Sequence, residues 1–169
     1  MSCTPLRNAP RARGFTLVEL AIVLAIFSVL MAKGIPAIAD FVSASMMRTA
    51  ASELQHAANT ARSEAIKRNI RAELRVTATA WSVWNMTVTP NVQLRAGTLD
   101  ARVAATPVTL DYASNGRTTP AGTTATIGLS SSIVSCGSAV PCPSVRITSG
   151  GSSAVCNAAK SAGTYGACS

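Results

Sequence analysis

The sequence predicts an α+β protein in which a long N-terminal helix, its first half within a membrane, precedes a small β-rich domain. Three observations carry this. A run with a single charge extends from Phe15 to Ala32, and apolar residues then recur at spacings of three and four as far as Ala65. From Glu73 the pattern changes to short β-favouring runs bounded by Gly, Pro and Asn.

The chain opens with a polar leader carrying Arg7, Arg11 and Arg13 but no apolar stretch of its own. A secretory signal carries its apolar stretch before the cleavage site; here it comes after. Basic residues ahead of the span predict a cytoplasmic leader and place the rest of the chain across the membrane. Phe15–Ala32 is long enough to cover most of a bilayer core, and Lys33 can reach the interface. One carboxylate, Glu19, interrupts the run. An ionisable group within a bilayer costs roughly 2.5–3.5 kcal/mol on insertion scales, so Glu19 reads as a functional residue with a partner elsewhere.

Gly34 and Pro36 follow, where the helix is expected to kink because Pro36 lacks a donor N–H. The helical pattern then resumes along Ile38, Val42, Met46, Ala50, Leu54, Ala57, Ala58, Ala61 and Ala65, with Arg48, Glu53, Asn59 and Lys67 opposite. One helix from about Phe15 to Arg71 is the reading. The chain divides into a leader (1–14), a membrane part of the helix (15–33), an amphipathic part (34–72) and a β-domain (73–169).

In the β-domain, 74–79 and 83–88 form an expected hairpin turning near Ala80–Ser82, with Pro90 ending it. Weaker strands are expected at 92–95, 108–112, 124–129 and 144–148, and Asn115-Gly116 marks a turn between the second and third of these. The tail from Gly150 is rich in Gly, Ser and Ala and needs tethering to be ordered.

Composition bounds the function. The 169 residues suit one modest domain beyond the helix, and aromatics make up only 4 %. The net charge of +8 falls to +5 once the leader is removed, which is basic without pointing firmly to nucleic acid. Cys136, Cys142, Cys156 and Cys168 lie in the last quarter of the chain. An even number beyond a membrane segment favours two disulfides in an oxidising compartment. Three pairings are possible; the sequential one is preferred, because Cys136 with Cys142 closes a short Pro-containing loop and Cys156 with Cys168 closes the tail. No C-x-x-C occurs and the single histidine, His56, lies far off on the helix, so no metal or cofactor is expected. No second acid or base accompanies His56, and the serines lack an elbow motif, so no enzyme is expected.

Gly14-Phe15-Thr16-Leu17-Val18-Glu19 and its apolar run resemble the type III signal of type IV pilins and type II secretion pseudopilins. The resemblance implies that a prepilin peptidase cuts between Gly14 and Phe15 and methylates the new Phe15 amine. It places the protein in the bacterial inner membrane as a single-pass chain with its C-terminal domain in the periplasm. The Phe15 amine of one subunit would then neutralise Glu19 of a neighbour during assembly with other pilins.

Leu110-Asp111-Tyr112-Ala113-Ser114-Asn115-Gly116-Arg117-Thr118 and Ala125-Thr126-Ile127-Gly128-Leu129 resemble the strand–turn–strand segment of the GspH/FimT minor pilins and pseudopilins, and Val145-Arg146-Ile147-Thr148 is similar to their late strand. The resemblance implies two antiparallel sheets and a subunit at or near the tip of a type IV pilus or a type II secretion pseudopilus. Some FimT-like members bind DNA through a C-terminal Gly-Arg-x-Arg motif. Here that stretch reads Gly150-Gly151-Ser152-Ser153-Ala154-Val155-Cys156, without either arginine. An alternative DNA-contacting module would rest on Arg68, Arg71 and Arg75, which share a helical face if the helix extends that far, with Lys67 adjoining them and Trp81 and Trp84 nearby for stacking.

Overall fold

The computed structural model describes residues 15–133, 135–137, 142–157, 166 and 168, and of 33–37 the backbone alone. Gly14 and the rest of the leader lie outside it; the backbone at Gly34 and Pro36, where a kink is expected, lies within α1. The element order is α1 (Leu17–Arg68), β1 (Ala72–Val76), β2 (Ala80–Asn85), β3 (Val92–Thr98), β4 (Val103–Ala105), β5 (Val108–Tyr112), β6 (Thr118–Thr119), β7 (Ala125–Ser131), β8 (Pro143–Ile147) and β9 (Ser153–Asn157). Two units divide the chain at Ile38.

The first unit contains the apolar start of α1. Every described side chain from Phe15 to Ala32 is exposed, and apart from Thr16, Glu19 and Ser28 this stretch is apolar on every side. Leu17–Ala32 spans about 24 Å at 1.5 Å per residue. Among the described residues no helix is long and apolar enough to cross a membrane.

The second unit holds the rest of α1 and two antiparallel sheets, ordered β3-β2-β1-β5-β6 and β4-β7-β8-β9. Met47, Ala50, Ala51, Leu54, Ala57, Ala58, Ala61 and Ala65 on α1 join Leu74, Val83, Leu110, Tyr112, Ile127, Val145 and Ile147 in one core. The expected face therefore holds from Ala50 onward. Before it the face is set by Ser43 and Met47; Ile38 is 64 % and Val42 40 % exposed, and Met46 only partly buried.

The helix stops at Arg68, three residues short of the expected Arg71, because Asn69 adopts a left-handed backbone (φ 54°). Ile70 N–H then bonds the Ala65 carbonyl (3.1 Å) and Asn69 N–H the Ile66 carbonyl (3.3 Å), which satisfies two terminal acceptors as a Schellman cap does.

The β1–β2 hairpin turns at 77–79 rather than at 80–82. Thr77 N–H bonds the Ala80 carbonyl (2.8 Å) and Ala80 N–H bonds Thr77 Oγ1 (3.1 Å), which closes the turn early. Gly116 (φ 76°) and Asn115, whose Oδ1 accepts from Arg117 N–H (3.0 Å), form the expected turn, but it joins β5 to the two-residue β6. Strands β4, β6 and β9 are not legible in the sequence; β9 lies beyond Gly150, where the composition predicts only a tethered tail.

Candidate functional site

At the start of α1, Glu19 N–H donates to Thr16 Oγ1 (3.2 Å) and Leu20 N–H to the Thr16 carbonyl (3.2 Å), which makes Thr16 the N-cap. Glu19 is thus the third helical residue, in the first turn, where a carboxylate complements the positive end of the helix dipole. It is exposed in the single chain, and Phe15 beside it is 84 % exposed. The spacing Thr16-x-x-Glu19 is that of a capping box, a signal the sequence carried and the reading of Glu19 as an isolated charge overlooked.

The four candidate cations do not form one helical face. Lys67 and Arg68 end α1; Arg71 lies in the connection after it and Arg75 in β1. Arg68 pairs with Glu64 (2.5 Å), Arg71 with Asp111 (2.6 Å) and Arg75 with Glu73, while the Arg75 guanidinium stands 5.1 Å from the Trp84 ring centroid. Trp84 Nε1 donates to Ser82 Oγ (2.9 Å). Three of the four charges are therefore locally compensated, and Trp84 stacks a cation of its own chain. His56 is exposed and lines a groove of about 680 Å³ with Arg48, Ser52, Glu53 and Trp81.

The cysteines form Cys136–Cys142 and Cys156–Cys168. The second bond starts from β9, where Asn157 N–H donates to the Gly166 carbonyl (2.9 Å), so Gly166 and Cys168 lie beside that strand. Gln55 Nε2 donates to the Ser153 carbonyl (3.2 Å) and Ser153 Oγ to Asn59 Oδ1 (2.9 Å), which fastens β9 to α1. These contacts hold β9, Gly166 and Cys168 to the domain.

An exposed apolar helix with a capped, acidic first turn, followed by an amphipathic half on two antiparallel sheets, is the architecture of a pilin-like subunit. Residues 10–32 match the prokaryotic N-terminal methylation motif. Residues 50–161 match the type II transport protein GspH, and the chain belongs to that family. Two crystal structures of the type IV minor pilin FimU of Pseudomonas aeruginosa (strain PAO1), in different crystal forms, share the fold. One is 19 % identical with a TM-score of 0.54, over 68 % of this chain and 91 % of that one. The other is 18 % identical with a TM-score of 0.51, over 64 % and 90 %. No curated protein matches the chain.

Proposed function

We propose that the chain is a structural minor pilin or pseudopilin. Prepilin peptidase cuts it between Gly14 and Phe15 and methylates the Phe15 amine. Residues 15–33 then anchor it in inner-membrane lipid, and the β-domain stands in the periplasm, where its disulfides persist. From there it assembles with other pilins at or near the tip of a type IV pilus or of a type II secretion pseudopilus. The observation that carries this reading is the start of α1: apolar side chains exposed on every side and one carboxylate, Glu19, in the turn next to Phe15. Such a surface finds its partners in lipid and in the helices of other subunits. A carboxylate costly alone in lipid becomes tolerable beside the amine of a neighbouring Phe15, so Glu19 favours the assembled state and sets its register. The ion pairs of Arg68, Arg71 and Arg75 support a structural role over the DNA-contacting alternative.

Glu19→Val tests the proposal. The variant is expected to insert into membranes normally and to be depleted from sheared filaments or pseudopili; incorporation at the wild-type level would sink the reading.

A further inference from the structure

The two sheets have four outer strands, and three of them are closed to pairing by simple means. β6 is two residues long, β4 is three, and β9 is bonded at its outer side to Gly166, whose carbonyl accepts from Asn157 N–H, and to Cys168 through Cys156. The fourth, β3, is seven residues long and carries neither proline nor lysine. Among the described residues it pairs on one side only, with β2, and is exposed along most of its length. Natural sheets protect such edges with short strands, Pro, Lys or bulges. The β2–β3 bulge is in β3 itself, where Leu94 is the extra residue between Gln93, opposite Trp84, and Arg95, opposite Val83; beyond it Arg95–Thr98, opposite Ala80–Val83, is a regular stretch.

That stretch has a chemical character. Arg95 and Gly97 are two residues apart and share one face of the strand. Among the described residues Arg95 has no carboxylate partner; its Nη1 donates only to the neighbouring Leu94 carbonyl (3.3 Å). The Trp81 indole lies across Gly97, where a Cβ would meet it at 2.6 Å, and the groove lined by Arg48, Glu53 and His56 opens beside it. A residue of an added strand facing Gly97 meets the indole directly, because no side chain intervenes.

We propose that β3 is the docking edge for an extended strand of a different subunit in the same assembly, one that presents a carboxylate to Arg95 and, two residues along, an apolar side chain to Trp81 over Gly97. Main-chain hydrogen bonds supply the affinity and the two side-chain contacts the choice of partner. A second copy of this chain pairing through the same strand fits poorly, since β3 holds neither Asp nor Glu and so offers Arg95 no carboxylate. The proposal rests on the subunit reading above and adds to it a site on the β-domain that Glu19 and α1 do not supply.

The test places a benzophenone amino acid at Ala96, or separately at Val42 on the exposed face of α1, in the full chain expressed in its native cells. Irradiation is expected to join Ala96 to a non-identical subunit, at a segment reading carboxylate, any residue, apolar. Arg95→Glu should lower that yield roughly ten-fold and Arg95→Lys should largely keep it. An adduct only with a second copy, an adduct mapping to a helix, or equal yields from Arg95→Glu and Arg95→Lys would overturn the proposal. Adducts at Val42 with none at Ala96 also overturn it while leaving the subunit reading standing. Adducts at neither position overturn both.

Discussion

Gly151 lies directly against Gly116: a Cβ at position 151 would come within 1.9 Å of the Gly116 carbonyl oxygen. One glycine belongs to the β5–β6 turn and the other to the β8–β9 turn, so the contact joins the two sheets. Thr118 reinforces it, donating from Oγ1 to the Ser149 carbonyl (3.2 Å). Arg62 of α1 covers both turns, its Nε 3.2 Å from where a Gly116 Cβ would stand and 3.3 Å from that of Gly151. Helix and both sheets therefore meet at two residues without side chains.

Gly151→Ala is expected to destabilise the fold by about 3 kcal/mol or more, because it adds a backbone collision to the strain of a left-handed φ of 79°. Gly122→Ala is the control. It has a φ of 90° but nothing within 4 Å, so it should cost only about 1 kcal/mol. Urea denaturation of both variants checks the difference; equal losses would show that strain alone matters.

Tyr112 is fully buried, and its hydroxyl has no hydrogen-bond partner among the described residues. Burial pushes its phenol above the ordinary range, and Arg62 draws it only partly back. Removing an unpaired buried hydroxyl leaves nothing unsatisfied, so Tyr112→Phe should match wild-type stability or exceed it by about 1 kcal/mol. A loss larger than that in thermal unfolding would reveal a bonded hydroxyl.

Asp100 receives hydrogen bonds from the Arg102 side chain (2.9 Å at Nε) and from its backbone N–H (2.9 Å), and these hold its carboxyl near 2 rather than the usual 3.8. A lowered value means that the carboxylate's contribution is fully present above 3.8 and is lost as pH falls through about 2. Carboxyl-carbon NMR titration should place its midpoint near 2. In Arg102→Met the midpoint should rise towards 3.8, and an unmoved midpoint would remove Arg102 as the cause.

Cys156→Ser is expected to cost about 3 kcal/mol, the entropy of the 12-residue closure, and to expose the Asn157 amide that now bonds Gly166. Hydrogen exchange at Asn157 should quicken while β1 and β5 stay protected. Uniform quickening would mean that the bridge holds the whole domain.

The sequence by itself determined the features that arise from near neighbours. The capped acidic start of α1 is written in Thr16 to Glu19, the buried helix face in the spacing from Ala50 to Ala65, and the β1–β2 hairpin in two β-rich runs. The position and number of the cysteines marked the tail as bridged. Tertiary structure decided what depends on residues far apart. A two-residue strand such as β6 has no propensity signal, and β9 is a strand only because β8 pairs with it. Arg71 reads as a free cation until Asp111, 40 residues on, is brought beside it, whereas the Glu73 partner of Arg75 is a near neighbour in the same strand. The openness of β3, likewise, is a property of sheet order: a strand becomes an edge only when no other strand lies on its far side.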